Sequence, residues 1–175
     1  MTLAFIGLGS NLGDGRSNLL TAWKLLGRQS GVLPLALSSP YLTRPVAKPE
    51  WRSSGRELGA QFFTNAVGVL ESRLPPFELL VVLQEIENYM GRDRGRTLDR
   101  SIDLDLLYYD DLVLNEPGLI VPHSELEKRL FVLAPLADLA PDRLHPRLGL
   151  TTTQMRQRLP AGEESLVRRL DWDAD

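Results

Sequence analysis

Apolar and polar side chains alternate from Gln61 to Glu71, with Phe63, Asn65, Val67 and Val69 at every second position. That period predicts a half-buried strand carrying these four on one face. Ile102 to Tyr109 alternates as well, setting Ile102, Leu104 and Leu106 on one face and Asp103 and Asp105 on the other. Residues 3–8 form an apolar run that predicts a buried strand, and Val32 to Tyr41 predicts another, ending at Thr43-Arg44-Pro45. Helical spacing appears twice. Leu19, Ala22, Trp23 and Leu26 predict a helix over 16–28, and Leu79, Leu83, Ile86 and Met90 predict one opened by Pro75-Pro76 and closed at Gly91. The order strand, helix, strand, strand, helix, strand predicts an α+β fold of the ferredoxin-like split βαβ type (βαββαβ), an antiparallel sheet with helices on one face.

Further along, Val121-Pro122-His123 reads as a short extended piece, and 124–138 as a helix halted by Ala140-Pro141. The stretch from 151 offers a short helix and an edge strand through Leu166–Leu170. The expected organisation is one domain over 1–175, with the ferredoxin-like core at about 1–110 and a C-terminal extension at about 111–175. Residues 46–60 are polar, glycine-bearing and patternless, and loops of that length in compact domains often carry function. The glycines of Gly7-Leu8-Gly9-Ser10-Asn11-Leu12-Gly13 are spaced GxGxxxG rather than GxGxxG, which favours a structural turn over a dinucleotide fingerprint.

Composition narrows the function. A net charge of -3 argues against a general nucleic-acid binder. Nearly all positive charge is arginine, lysine occurring only as Lys24, Lys48 and Lys128. The absence of cysteine excludes disulfides, zinc-thiolate sites and thiol nucleophiles. No apolar run approaches the roughly 20 residues that cross a bilayer, and residues 1–8 lack a basic region ahead of a long apolar core, so a cytoplasmic protein without a membrane partner is expected.

The candidate chemistry gathers in residues 86–105. Arg92, Arg94, Arg96 and Arg100 lie in a glycine-bearing connection that leads straight into Asp103 and Asp105. Guanidinium forks match phosphate oxygens and keep their charge. Two carboxylates at i, i+2 share a strand face about 7 Å apart at the backbone, close enough for side chains to hold paired divalent ions on a polyphosphate. A solvated strand face explains the aspartates alone, and a solvated charge run explains the arginines alone; together they favour a metal site beneath a mobile phosphate clamp. No Walker pattern GxxxxGK[ST] is present. Phe63 beside Asn65 suits a flat heterocycle, by stacking and by edge hydrogen bonds. Phe131 fits a core position equally well, and His123, six residues before Arg129, fits a core histidine or a phosphate contact.

Two other functional classes are weaker. A dinucleotide-dependent oxidoreductase would need an acidic residue closing the second strand, which instead ends Tyr41-Leu42-Thr43-Arg44. A non-catalytic RNA-binding module would need a basic sheet, where Asp103 and Asp105 would repel phosphate.

The ordered set of motifs resembles the 6-hydroxymethyl-7,8-dihydropterin pyrophosphokinase family. It comprises Gly9-Ser10-Asn11-Leu12-Gly13, Ser38 to Pro45, Phe63-Thr64-Asn65-Ala66-Val67 and Gln84-Glu85-Ile86-Glu87. Gly91-Arg92-Asp93-Arg94, Arg100 to Asp105, Val121-Pro122-His123 and Arg129 to Leu136 complete it. The resemblance runs from residue 3 to about 146. It implies transfer of pyrophosphate from ATP to the pterin alcohol, with release of AMP. It implies two Mg2+ ions on Asp103 and Asp105, and catalytic roles for Arg92 and Arg100. Leu80, Gln84, Arg94, Arg96, Ile102, His123 and Arg129 would meet ATP. Thr43, Pro45, Val46, Phe63, Asn65 and Phe131 would meet the pterin. Small-molecule substrates, no nucleic acid and a monomer are the partners expected.

Several positions depart from the family pattern. Leu98-Asp99 stand where Gly-Pro usually precedes the last arginine, Thr97 stands at a common tryptophan position, and the arginine loop is slightly shorter. Ser124 replaces a frequent tyrosine, and Gly118 a basic residue that assists ATP binding. These bear on lid closure and nucleotide affinity, and none touches the aspartate pair. Trp51 is a candidate substitute seal.

Overall fold

The computed structural model describes residues 1–44, 62–91, 101–160 and 167–173. In chain order the elements are β1 (Thr2–Ser10), α1 (Gly15–Leu26), β2 (Val32–Leu37), β3 (Tyr41–Thr43), β4 (Phe63–Ser72), α2 (Pro76–Tyr89) and β5 (Asp103–Tyr109). A hairpin of β6 (Leu114–Glu116) and β7 (Leu119–Val121) follows, then a 3-10 turn at Leu126–Lys128, α3 (Leu130–Leu139), α4 (Thr152–Gln157) and β8 (Val167–Arg169).

β1 is apolar on both faces, and it lies inside the sheet. It pairs antiparallel with β4, from Thr2↔Ser72 to Ser10↔Thr64, and with β5, from Ala4↔Tyr109 to Gly9↔Asp103. The far edge of β4 is shared by two short strands, β2 against Gly68–Ser72 and β3 against Phe63–Asn65. The sequence predicted one strand through this region. It divides at Ser38-Ser39-Pro40, where proline has no N–H for a ladder. Ser38 replaces the missing pairing: its N–H donates to the Val67 carbonyl at 2.9 Å and its hydroxyl accepts from the Val67 N–H at 3.0 Å. The sheet runs β5-β1-β4-β3-β8, with β2 also on β4. Its βαββαβ core is the ferredoxin-like arrangement that the hydrophobic pattern predicted.

α1 starts where the Asp14 carboxylate accepts from the Ser17 N–H at 3.2 Å, the usual satisfaction of an orphan first-turn amide. α2 starts with Pro76, which has no amide to leave unpaired. Their buried stripes, Leu19, Ala22 and Leu26 on one and Leu79, Leu83 and Ile86 on the other, pack with Ile6, Leu8, Leu70, Leu104 and Leu106. Gly68 permits the close approach of α1, since a Cβ there would stand 2.3 Å from the Trp23 ring.

The opposite face of the sheet is also covered, which corrects the expectation of helices on one face. Phe5, Val67 and Leu107 are apolar and buried there beneath Leu126, Val132, Leu133, Leu136 and Met155 of the C-terminal segment. A register shift between Phe5 and Ile6 turns both Leu107 and Tyr108 toward this second core. α4 begins with a capping box, Thr151 and Gln154 bonding each other's backbone N–H groups.

Candidate active site

The alternation read from β5 holds. Ile102, Leu104 and Leu106 enter the first core, while Asp103 and Asp105 emerge half-exposed on the opposite face. Strand register then determines their neighbours. Asp103 lies opposite Gly9 and Asp105 opposite Gly7; Gly9 lies opposite Asn65, and Asn65 opposite Tyr41. One row across the sheet therefore reads Asp103, Gly9, Asn65, Tyr41. Gly7 and Gly9 belong to the interior of β1, not to the turn that the sequence suggested; the strand continues through Ser10.

Their lack of side chains leaves bare backbone between the carboxylates and the amide. Adjacent strands are about 4.8 Å apart, so Asp103 and Asn65 flank a floor about 10 Å wide. A Cβ on Gly9 would stand 3.1 Å from Asn65 Oδ1 and 3.9 Å from Asp103 Cβ. Asn65 is buried, and its Nδ2 donates to Thr43 Oγ1 at 2.9 Å. That bond orients the amide so that Oδ1, an acceptor, overlooks the strip. Phe63 is half-buried on the same face, paired with Thr43. Phe131 comes from the first turn of α3, against the second core, with the Arg129 guanidinium carbon 5.7 Å from its ring centroid.

A second space adjoins the strip through Asp105. It is a cleft of about 650 Å³ between α2, β5 and the β6–β7 hairpin, lined by Leu80, Asp105, Gly118, Ile120, His123 and Ser124 among others. Its size suits a nucleotide-sized ligand. His123 Nδ1 accepts from the Glu125 N–H at 3.2 Å, which puts the neutral ring's proton on Nε2. Nε2 lies 4.0 Å from Asp105 Oδ1. The ring is thus oriented toward the carboxylate and the cleft mouth. Gln84 is half-buried one turn beyond Leu80, and the cleft lining does not include it. The Ile102 side chain is fully buried in the first core, which leaves its backbone as the part that could meet a ligand.

Glu87 was missed as a site residue. It follows the apolar stripe of α2, is 2% exposed, and its Oε1 accepts from the Leu104 N–H at 2.8 Å. Leu104 separates the two aspartates on the edge strand, so this buried carboxylate anchors their backbone from beneath. The hairpin wall was also missed, although Pro117-Gly118 is a turn dipeptide between short apolar pieces. Arg92, Arg94, Arg96, Arg100, Pro45, Val46 and Trp51 lie outside the described residues.

Among the described residues no group of three or more His, Cys, Asp or Glu side chains is arranged to hold a metal. The aspartate pair on its own fits an ion that takes one or two carboxylates and completes its shell with water and phosphate oxygens, as Mg2+ does. No helix among the described residues is long and apolar enough to cross a membrane.

Comparison with known proteins agrees with this geometry. The family model for 7,8-dihydro-6-hydroxymethylpterin-pyrophosphokinase (HPPK) matches residues 5–141. The chain is 44% identical over 138 residues to 2-amino-4-hydroxy-6-hydroxymethyldihydropteridine pyrophosphokinase of Bacillus subtilis, covering 78% of this chain and 77% of that one. To the protein of the same name from Haemophilus influenzae it is 33% identical, covering 90% and 93%. It is 35% identical to the folic acid synthesis protein FOL1 of Dictyostelium discoideum, but spans only 23% of that protein's length. The wild-type Plasmodium falciparum HPPK-DHPS structure with pteroate superposes with a TM-score of 0.67 at 16% identity, over 90% of this chain and 42% of that one.

Proposed function

The chain belongs to the 7,8-dihydro-6-hydroxymethylpterin-pyrophosphokinase family, and from this premise and the site geometry we infer that it transfers pyrophosphate from ATP to 6-hydroxymethyl-7,8-dihydropterin, giving the pterin diphosphate and AMP. The observation that carries this reading is the row Asp103, Gly9, Asn65: a carboxylate and a fixed amide oxygen facing each other across a strip with no side chains. A flat bicyclic ring fits that floor. Asn65 Oδ1 would accept from its ring N–H groups, Thr43 would hold the amide in place, and Phe63 and Phe131 would contact its faces. The hydroxymethyl arm would then reach toward the aspartates.

ATP would occupy the adjoining cleft, its base against Leu80 and its triphosphate running past His123 to Asp105. His123 Nε2–H would donate to a phosphate oxygen, and Arg129, preceding α3, would add charge there. Asp103 and Asp105 would hold two Mg2+ ions, which when bound would offset triphosphate charge and make the pterin alcohol a better nucleophile. Arg92, Arg94, Arg96 and Arg100 would close over the phosphates, with Pro45 and Val46 completing the pterin edge, as the family resemblance implies. The reaction then needs no covalent enzyme intermediate, since alignment and charge stabilisation suffice. Supplying ATP, Mg2+ and the reduced pterin alcohol should yield AMP; formation of ADP, or no nucleotide turnover, would overturn the reading.

A further inference from the structure

We propose that the C-terminal strand β8 is a positioning element for the pterin slot, bracing from outside the two elements that shape it. This deepens the assignment of Thr43, Asn65 and Phe131 to the pterin, and rests on that assignment. β3, which carries Thr43, is three residues long, and β4 is its partner on one side. So short a strand holds its place poorly without a second neighbour. β8 supplies one, in the register Tyr41↔Arg169, Leu42↔Arg168 and Thr43↔Val167. The pairing extends where the Leu170 N–H donates to the Pro40 carbonyl at 2.8 Å.

Three further ties fix this strand. Trp172 Nε1 donates to the Ser38 carbonyl at 3.0 Å, locking the joint between β2 and β3. Arg16 Nη1 of α1 donates to the Asp171 carbonyl at 3.2 Å. On α3, one carboxylate serves two strands: Asp138 Oδ1 accepts from the Tyr41 hydroxyl at 3.0 Å, and Asp138 Oδ2 lies 3.4 Å from Arg169 Nε. Val167 adds apolar contact with the cluster of Tyr41, Leu130 and Ala134. Leu130 directly precedes Phe131, so β8 joins the amide wall of the slot to its aromatic wall. The nucleotide cleft, between α2, β5 and the β6–β7 hairpin, receives none of these ties.

The test uses the full chain. Trp172→Phe with Arg169→Leu removes two ties and keeps most of the packing; Trp172→Phe alone serves if the pair does not fold. Pterin affinity is titrated with Mg2+ and a nonhydrolysable ATP analogue present, nucleotide affinity is titrated separately, and hydrogen exchange is followed at residues 41–43. The expected result is faster exchange in β3, pterin binding about tenfold weaker, or 1.4 kcal/mol, and nucleotide binding within about twofold of the unmodified chain. Unchanged exchange in β3 would overturn the proposal, as would unchanged pterin affinity or equal weakening toward both ligands. Asn65→Ala separates the two levels. Full pterin affinity in that variant would reject the slot itself, whereas its loss there alongside normal binding in the tail variants would reject only the role of β8.

Discussion

Gly9→Ala separates the slot from the fold. A glycine inside a strand costs about 0.5–1 kcal/mol relative to alanine, so the backbone contribution favours the variant. Against it, the new methyl would stand 3.1 Å from Asn65 Oδ1, and the amide must yield by a few tenths of an ångström. Asn65 is held from its other side by Thr43 at 2.9 Å. Stretching that bond beyond about 3.2 Å forfeits part of an interaction worth about 0.5–1.5 kcal/mol. The two effects nearly offset, and the melting temperature should move by less than about 4 °C. The slot has no such compensation. The methyl occupies the floor on which the ring lies, and the displaced oxygen loses its alignment with the ring N–H. Losing one hydrogen bond and the flat contact amounts to about 1.5–3 kcal/mol, or ten- to hundredfold weaker pterin binding. Calorimetric titration of the pterin with Mg2+ and a nonhydrolysable ATP analogue measures this, and titration of the analogue alone is the internal control. Nucleotide affinity should not change, because its cleft lies on the other side of Asp105. Undiminished pterin affinity, or parallel losses for both ligands, would refute the placement of the ring over β1.

Glu87→Leu should lower stability by about 1–3 kcal/mol, by leaving the buried Leu104 N–H without its acceptor, and should weaken Mg2+ binding; Glu87→Gln, which keeps an oxygen, should restore most of both. Equal losses in the two variants, read by thermal melts and Mg2+ titration, would assign the effect to charge instead. Asp105→Asn, at a half-exposed position, should leave the fold intact by thermal melt while cutting AMP formation at least about a hundredfold; near-normal turnover would defeat the metal assignment. Burial holds the His145 pKa below its ordinary 6.5, so the unfolded chain takes up a proton before the folded one does as pH falls. Stability should therefore drop as pH is lowered below about 6.5, and melts across pH should show that slope vanish in His145→Asn.

What local spacing encodes was legible in advance. A period of two put Asp103 and Asp105 together on one side of their strand and Phe63 and Asn65 together on one side of theirs; apolar stripes located α1 and α2, with Pro75-Pro76 and Gly91 bounding the second. Register is not local. Gly7 and Gly9 resemble turn residues to any window along the chain, and become a floor only when β5 and β4 flank them with Asp103 and Asn65. Glu87 follows an apolar stripe like any solvated flank, until the edge N–H of Leu104, 17 positions away in sequence, gives its buried oxygen a partner. The same holds for Trp172, whose indole meets a carbonyl 134 positions earlier. The aspartates and arginines advertise phosphate chemistry by type, so substituting them tests what many phosphate-handling sites share. Gly9, Glu87 and Trp172 carry no such chemistry in themselves. A selective effect at any of them arises only if the strands pair as described, so these positions test the architecture of the site and not merely its composition.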